Sequence, residues 1–142
     1  MMARVFAVCR VVLGALFIWA AVTKLPDIAA FAQDVANYRV IPAALVPILA
    51  AAVVGIELLA GIALVTGVME RPAAAVLAVL LAAFTGLLTQ ALLRGIDLRC
   101  GCFGGDERAS WWTVVRDLVM LATAVAVARG PSPARTNVTN PA

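Results

Sequence analysis

The sequence predicts an all-α integral membrane four-helix bundle with a Cys-x-Cys loop between its third and fourth spans. Three observations predict it. The 142 residues are 64% hydrophobic and only 13% charged, against about 25% charged in an average soluble domain. A soluble domain of this size leaves much of its surface in water, and this chain has too few polar residues to cover that surface. The apolar residues also fall into four long runs separated by short polar stretches, each run near the roughly 20 residues that a bilayer requires.

The first run covers residues 5–22 and is broken only by Arg10; Lys24, Pro26 and Asp27 end it. Its length and the charge inside it favour a retained span at about 5–23 over a cleaved signal segment. Residues 27–42 are mixed. Ile28, Phe31, Val35 and Tyr38 recur at helical spacing, which predicts a short amphipathic helix in the membrane interface or a connector packed on the bundle. The second span runs from about 43 to 68, with Pro47 suited to its first turn and Gly67 to its stop. A polar turn, Met69-Glu70-Arg71, leads to Pro72 and a third span over 72–93. Ala74, Ala78, Ala82 and Gly86 recur there every four residues, a stripe that would let helix backbones approach closely. Residues 94–109 form the long polar segment. Ser110 is placed to cap the fourth span, 111–128, and 129–142 reads as a disordered tail rich in proline, serine, threonine and asparagine. Residues 1–128 make one transmembrane domain, whose lipid-facing partner is the bilayer.

Several chemistries are excluded. The chain has no histidine, so it supplies no Ser-His-Asp triad, His-ligated haem or His-containing zinc site of its own. A net charge of +3 without a clustered basic face does not suit nucleic acid. Basic residues divide almost evenly between the two predicted sides, so the positive-inside rule gives no orientation.

The informative polar stretch holds Cys100 and Cys102 with one glycine between them, next to Arg99. A tight turn at Gly101 could bring the two α-carbons within the range a disulfide needs. Such a small ring would be strained and oxidising, and so competent for exchange. Arg99 would favour the reactive thiolate, with Arg94, Arg108 and Arg116 as further cationic candidates. Redox exchange is the reading these residues favour. The alternatives are a structural disulfide, a metal site completed by a second chain, and inert thiols; no metal site is expected from this chain alone. Cys9 lies toward the opposite membrane face, on the order of 20 Å from the pair, and reads as a small buried apolar side chain.

Glu57 interrupts the second span near its middle. An intramembrane carboxylate is costly and needs a partner, with Arg10 or Arg116 as the candidates. Two readings follow: a structural ion pair that fixes helix register, or a proton relay or ligand anchor for a polar group such as a quinone head. Arg116-Asp117 could be structural or tune the thiols. Trp19, Trp111 and Trp112 lie near span ends, as membrane-interface anchors do.

With these residues in view, the chain resembles the MauE/DoxX family of small four-helix membrane proteins over about residues 4–128. The resemblance rests on the stretch at 10–17, Lys24-Leu25, Tyr38-Arg39-Val40-Ile41-Pro42, the block at 55–61 around Glu57, and Leu93-Arg94-Gly95. Cys100-Gly101-Cys102-Phe103-Gly104, which points to the MauE side, and Val115-Arg116-Asp117-Leu118 complete it. It implies a membrane thiol–disulfide oxidoreductase component. In that reading a redox-active Cys100–Cys102 disulfide exchanges electrons between an extracytoplasmic thioredoxin-like partner and a membrane acceptor such as quinone. The bundle also resembles quinone-linked disulfide-forming membrane enzymes, which carry a second cysteine pair that this chain lacks; a separate thioredoxin-fold protein would then be the other half. The expected setting is the cell membrane, with both termini cytoplasmic and the cysteine loop extracytoplasmic. A non-catalytic subunit that docks a redox partner, and a small-molecule carrier using Glu57 and Arg10, are the other function classes.

Overall fold

The computed structural model of the protein describes residues 1–98 and 108–130. All regular structure among these residues is helical: α1 (Met2–Lys24), a 3-10 turn (Leu25–Asp27), α2 (Ile28–Asn37), α3 (Val46–Thr66), α4 (Glu70–Leu93) and α5 (Trp111–Arg129). Four helical segments are long and apolar enough to cross a membrane, α1 continuing into α2 and α3, α4 and α5. Their outward faces carry exposed valine, leucine, isoleucine and tryptophan, whereas Lys24, Glu57, Thr85, Thr113 and Asp117 are buried. Apolar surface outside and polar groups inside is the arrangement a bilayer selects. The protein is therefore a multi-pass membrane bundle. The expected tail beyond residue 130 lies outside the described residues.

The helices pack as two close pairs, α1 on α3 and α4 on α5, joined by sparser α3/α4 and α1/α5 seams. One core cluster runs through all four, including Leu13, Phe17, Leu64, Leu77, Leu81, Met120 and Val127. The backbones approach closely in the α1/α3 pair. A Cβ on Gly14 would lie 2.7 Å from the Gly61 carbonyl oxygen, and one on Gly61 would lie 2.8 Å from that of Gly14. Small residues at a crossing allow this contact in lipid, where dispersion replaces hydrophobic driving force.

That crossing corrects the seam expected on the third span. Ala74 is buried, but Ala82 and Gly86 face outward, and a Cβ on Gly86 would meet nothing within 4 Å. A strict four-residue interval advances by more than one helical turn, so the stripe winds off any single face. Ala74, Leu77, Leu81, Thr85 and Leu88 form the buried line instead.

Local signals set several ends. Pro47 sits in the first turn of α3, and Gly67 ends it at φ 79°, donating its N–H to the Ala63 carbonyl. Asp27 caps α2 by accepting the Ala30 N–H at 2.9 Å. The apolar face of α2, including Phe31 and Val35, packs on Val46, Ala50, Val53 and Val54 of α3, so this helix belongs to the bundle. The expected polar turn 69–71 is shorter than the sequence suggests. Met69 takes the left-handed conformation at φ 52°, and α4 starts at Glu70, whose carboxylate suits a helix N-terminus. Ser110 precedes α5, but its hydroxyl lies 3.4 Å from that of Thr113 and makes no side-chain cap to the backbone.

Gly14→Val and Gly61→Val should each lower the stability of the bundle by about 1–3 kcal/mol through overpacking. Gly55→Ala and Gly86→Ala, which open onto empty space, should hold or raise it. Thermal unfolding of the detergent-solubilised variants measures both.

Candidate functional site

Lys24, Glu57 and Asp117 meet in the bundle interior. Glu57 is the twelfth of the 21 residues of α3, so it lies about 15 Å from either end of that helix. Lys24 closes α1, and helical side chains lean toward the helix N-terminus, which aims the ammonium down into the bundle. Its Nζ donates to both carboxylate oxygens of Glu57, at 3.0 and 2.9 Å. It also lies 4.7 Å from the centroid of the Phe31 ring. Lys24 and Glu57 are 3% and 4% exposed, so this pair is screened by protein and lipid alone.

Beside the pair is a small, partly open cavity of about 20 Å³, lined by Lys24, Glu57, Asp117, Phe17, Leu81, Phe84 and Met120 among others. That volume suits a single water molecule. Asp117 is 2% exposed, and one of its oxygens lies 3.5 Å from Nε of the half-buried Arg116. One ammonium and two carboxylates thus line one small space between four apolar helices.

The expected partners of Glu57 need correcting. Arg10 pairs with Glu70 at 2.9 Å, near the opposite end of the bundle. Its guanidinium packs directly on Gly67, where a Cβ would collide with it, so Gly67 is required for room as well as for its left-handed backbone. Arg10 and Glu57 therefore sit in separate ion pairs. Arg116 lies beside Asp117. Lys24, read from sequence as a span terminator and a loop charge, is the partner. One signal in the sequence points to it: it is the only lysine among 11 basic residues. A compact ammonium fits a narrow interior site better than a planar guanidinium fork.

Arg99, Cys100 and Cys102 lie outside the described residues. The residues flanking them are joined at one end of the bundle. The Ala109 N–H donates to the Leu98 carbonyl at 2.9 Å, and exposed Arg108 reaches exposed Asp97 at 3.6 Å. Beneath this junction Leu98 packs with Tyr38, Leu88, Ala91 and Val114. Arg94, also exposed, donates to Gln90 at 3.3 Å. Cys9 is half-buried and lines an open groove with Phe6 and Thr123, rather than lying in the core. Trp19, Trp111 and Trp112 are all exposed.

The family profile of methylamine utilisation protein MauE matches residues 2–129. The chain belongs to the MauE family. One relative, methylamine utilization protein MauE of Paracoccus denitrificans, is 36% identical over 124 residues, which cover 85% of this chain and 67% of that protein. No solved structure is significantly similar. The paired residues Lys24 and Glu57 of this MauE-family chain both fall within the matched region.

Lys24→Met should destabilise the bundle by about 3–5 kcal/mol, because it leaves the Glu57 charge buried without its partner. Lys24→Met combined with Glu57→Leu should recover most of that loss. Denaturant unfolding of the single and double variants in mixed micelles gives the coupling.

Proposed function

We propose that the chain is the membrane half of a thiol–disulfide relay. Cys100 and Cys102 form a reversible disulfide on the extracytoplasmic side, where disulfides persist, and both termini are cytoplasmic. A thioredoxin-like partner brings a dithiol. Its thiolate attacks the Cys100–Cys102 disulfide and forms a mixed disulfide with Cys100, where Arg99 favours thiolate chemistry. The second partner thiol then resolves that bond. The partner leaves as a disulfide, and Cys100 and Cys102 remain as a dithiol. Transfer of two electrons and two protons to a membrane acceptor such as quinone restores the disulfide and yields the quinol. The same residues support the reverse flow. The name of the Paracoccus denitrificans relative suggests methylamine utilisation as the process this relay serves.

The observation that carries the reading is the placement of two thiols, one glycine apart, on a segment whose flanking residues are joined at the bundle end by the Ala109–Leu98 hydrogen bond. A segment tethered there can offer its sulfurs to an outside protein while the helices stay packed.

Alkylation of intact cells with a membrane-impermeant thiol reagent, with and without reductant, tests this. Two additional alkyl groups should appear only after reduction. In the Cys100→Ser and Cys102→Ser variants the remaining thiol of the pair should be alkylated without reduction, and partner oxidation should be lost. Unchanged partner oxidation in both Cys100→Ser and Cys102→Ser would overturn the relay and favour a docking subunit.

A further inference from the structure

We propose that the bundle end formed by the start of α1, the α3/α4 turn and the end of α5 is a binding surface for anionic phospholipid headgroups. The surface is independent of the thiol relay. It follows first from how charge divides along the chain. The stretches 1–12, 65–72 and 129–142 hold five arginines, Arg4, Arg10, Arg71, Arg129 and Arg135, and one acid, Glu70. The stretches 24–57 and 94–117 hold six basic and seven acidic residues. The first group therefore carries the whole of the chain's net positive charge.

The fold gathers the described arginines of that group at one end. Arg10 pairs with Glu70 at 2.9 Å, which joins α1 to the start of α4. The Phe6 ring packs on Gly130, where a Cβ would collide with it, which joins α1 to the end of α5. Arg4 and Arg10 differ in level by about 9 Å along α1, a span that long arginine side chains bridge by reaching for the headgroup layer. Glu70 is buried and paired, and it is the one carboxylate at this end among the described residues. Arg4, Arg71 and Arg129 are exposed.

Three features select a lipid with a net negative head. A guanidinium fork matches phosphate oxygens bidentately, and these forks sit where apolar spans end. Uncharged residues 73–93 follow Arg71, and uncharged residues 118–128 precede Arg129, which is the level of the headgroups. The surface just inside that level is apolar and outward. Val5, Val8, Met69 and Val76 are exposed, and an α1/α5 groove lined by Val5, Phe6, Cys9, Ala126 and Val127 runs inward from it. Acyl chains attached to a phosphate find a place there that a soluble phosphate ester cannot use. A zwitterionic head brings its own cation toward three exposed guanidiniums, whereas an anionic head does not. At the opposite end exposed Arg108 lies 3.6 Å from exposed Asp97, and Asp27 is exposed as well, so that mixed surface is the internal comparison. In the topology proposed above, the arginine end meets the cytoplasmic leaflet, whose anionic lipids attract basic residues.

The full chain is reconstituted in phosphatidylcholine vesicles with a trace of spin-labelled phosphatidylglycerol or spin-labelled phosphatidylcholine. Electron spin resonance reads the fraction of each label immobilised at the protein. Phosphatidylglycerol should be favoured about fivefold, the worth of one basic residue near an anionic surface, and added salt should reduce the preference. Combined Arg4→Gln, Arg71→Gln and Arg129→Gln should abolish it. Lysine at the same three positions should keep it, as should Arg39→Gln with Arg94→Gln at the opposite end. Glycerol phosphate at matched ionic strength should leave the label in place. Equal immobilisation of the two labels, a preference that survives the triple glutamine variant, or one lost equally in Arg39→Gln with Arg94→Gln would overturn the surface. Displacement by glycerol phosphate would overturn the lipid as its occupant.

Discussion

The bundle depends on the contact between the Lys24 ammonium and the Glu57 carboxylate. An unpaired charge at the centre of a spanning helix costs about 2.5–3.5 kcal/mol on insertion scales. Here both charges lie inside, 2.9 Å apart, and each is acceptable only because of the other. The pair ties the end of α1 to the middle of α3, next to the 3-10 turn that leads into α2. Below it, the Gly14–Gly61 approach holds the same two helices backbone to backbone. A buried ion pair and a close glycine–glycine contact therefore fasten one helix pair, and α5 is left with a looser seam against α1. Two lateral grooves open along that seam.

The buried polar set extends this division. Several hydroxyls in the spans bond to carbonyls of their own helices. Thr66 and Thr123 donate to the carbonyls of Ile62 and Val119 on their own helices, at 2.9 Å each, which makes them compatible with lipid. Lys24 and Glu57 satisfy each other across helices. With Asp117, which Arg116 approaches from its own helix, they fix which faces of α1, α3 and α5 turn inward. Arg10 and Glu70 do the same near the other end. There, added support comes from a helix N-terminus and from the space beside Gly67.

Much of the architecture was legible in the sequence because membrane spans are written as composition over about 20 residues. The Gly67 stop, the Pro47 start and the amphipathic spacing of Phe31 and Val35 each reflect a local rule. Glu57 stood out because carboxylates are rare in such runs. Its partner did not. A lysine that ends an apolar run looks the same whether it faces water or turns inward, and only the tertiary position of α2, which continues beyond it along α3, decides between them. The alanine stripe misled because alanine is abundant here, so regular spacing arose without a partner surface. The Gly14–Gly61 crossing escaped notice because each helix contributes one glycine, and nothing in either segment alone reports the other. Cys100, Cys102 and Arg99 remain a reading of residue chemistry and of family resemblance, since they fall outside the described residues.

The single lysine makes the Lys24–Glu57 contact directly measurable. In lipid-reconstituted protein labelled with ¹⁵N at lysine Nζ and ¹³C at the glutamate carboxyl, solid-state dipolar recoupling reads the contact from one nitrogen signal. Strong coupling of Lys24 Nζ to one glutamate carboxyl is expected, abolished by Glu57→Gln, at a separation consistent with the 2.9 Å hydrogen bond. A Lys24 signal with no glutamate coupling, or one that keeps its coupling in Glu57→Gln, would contradict it.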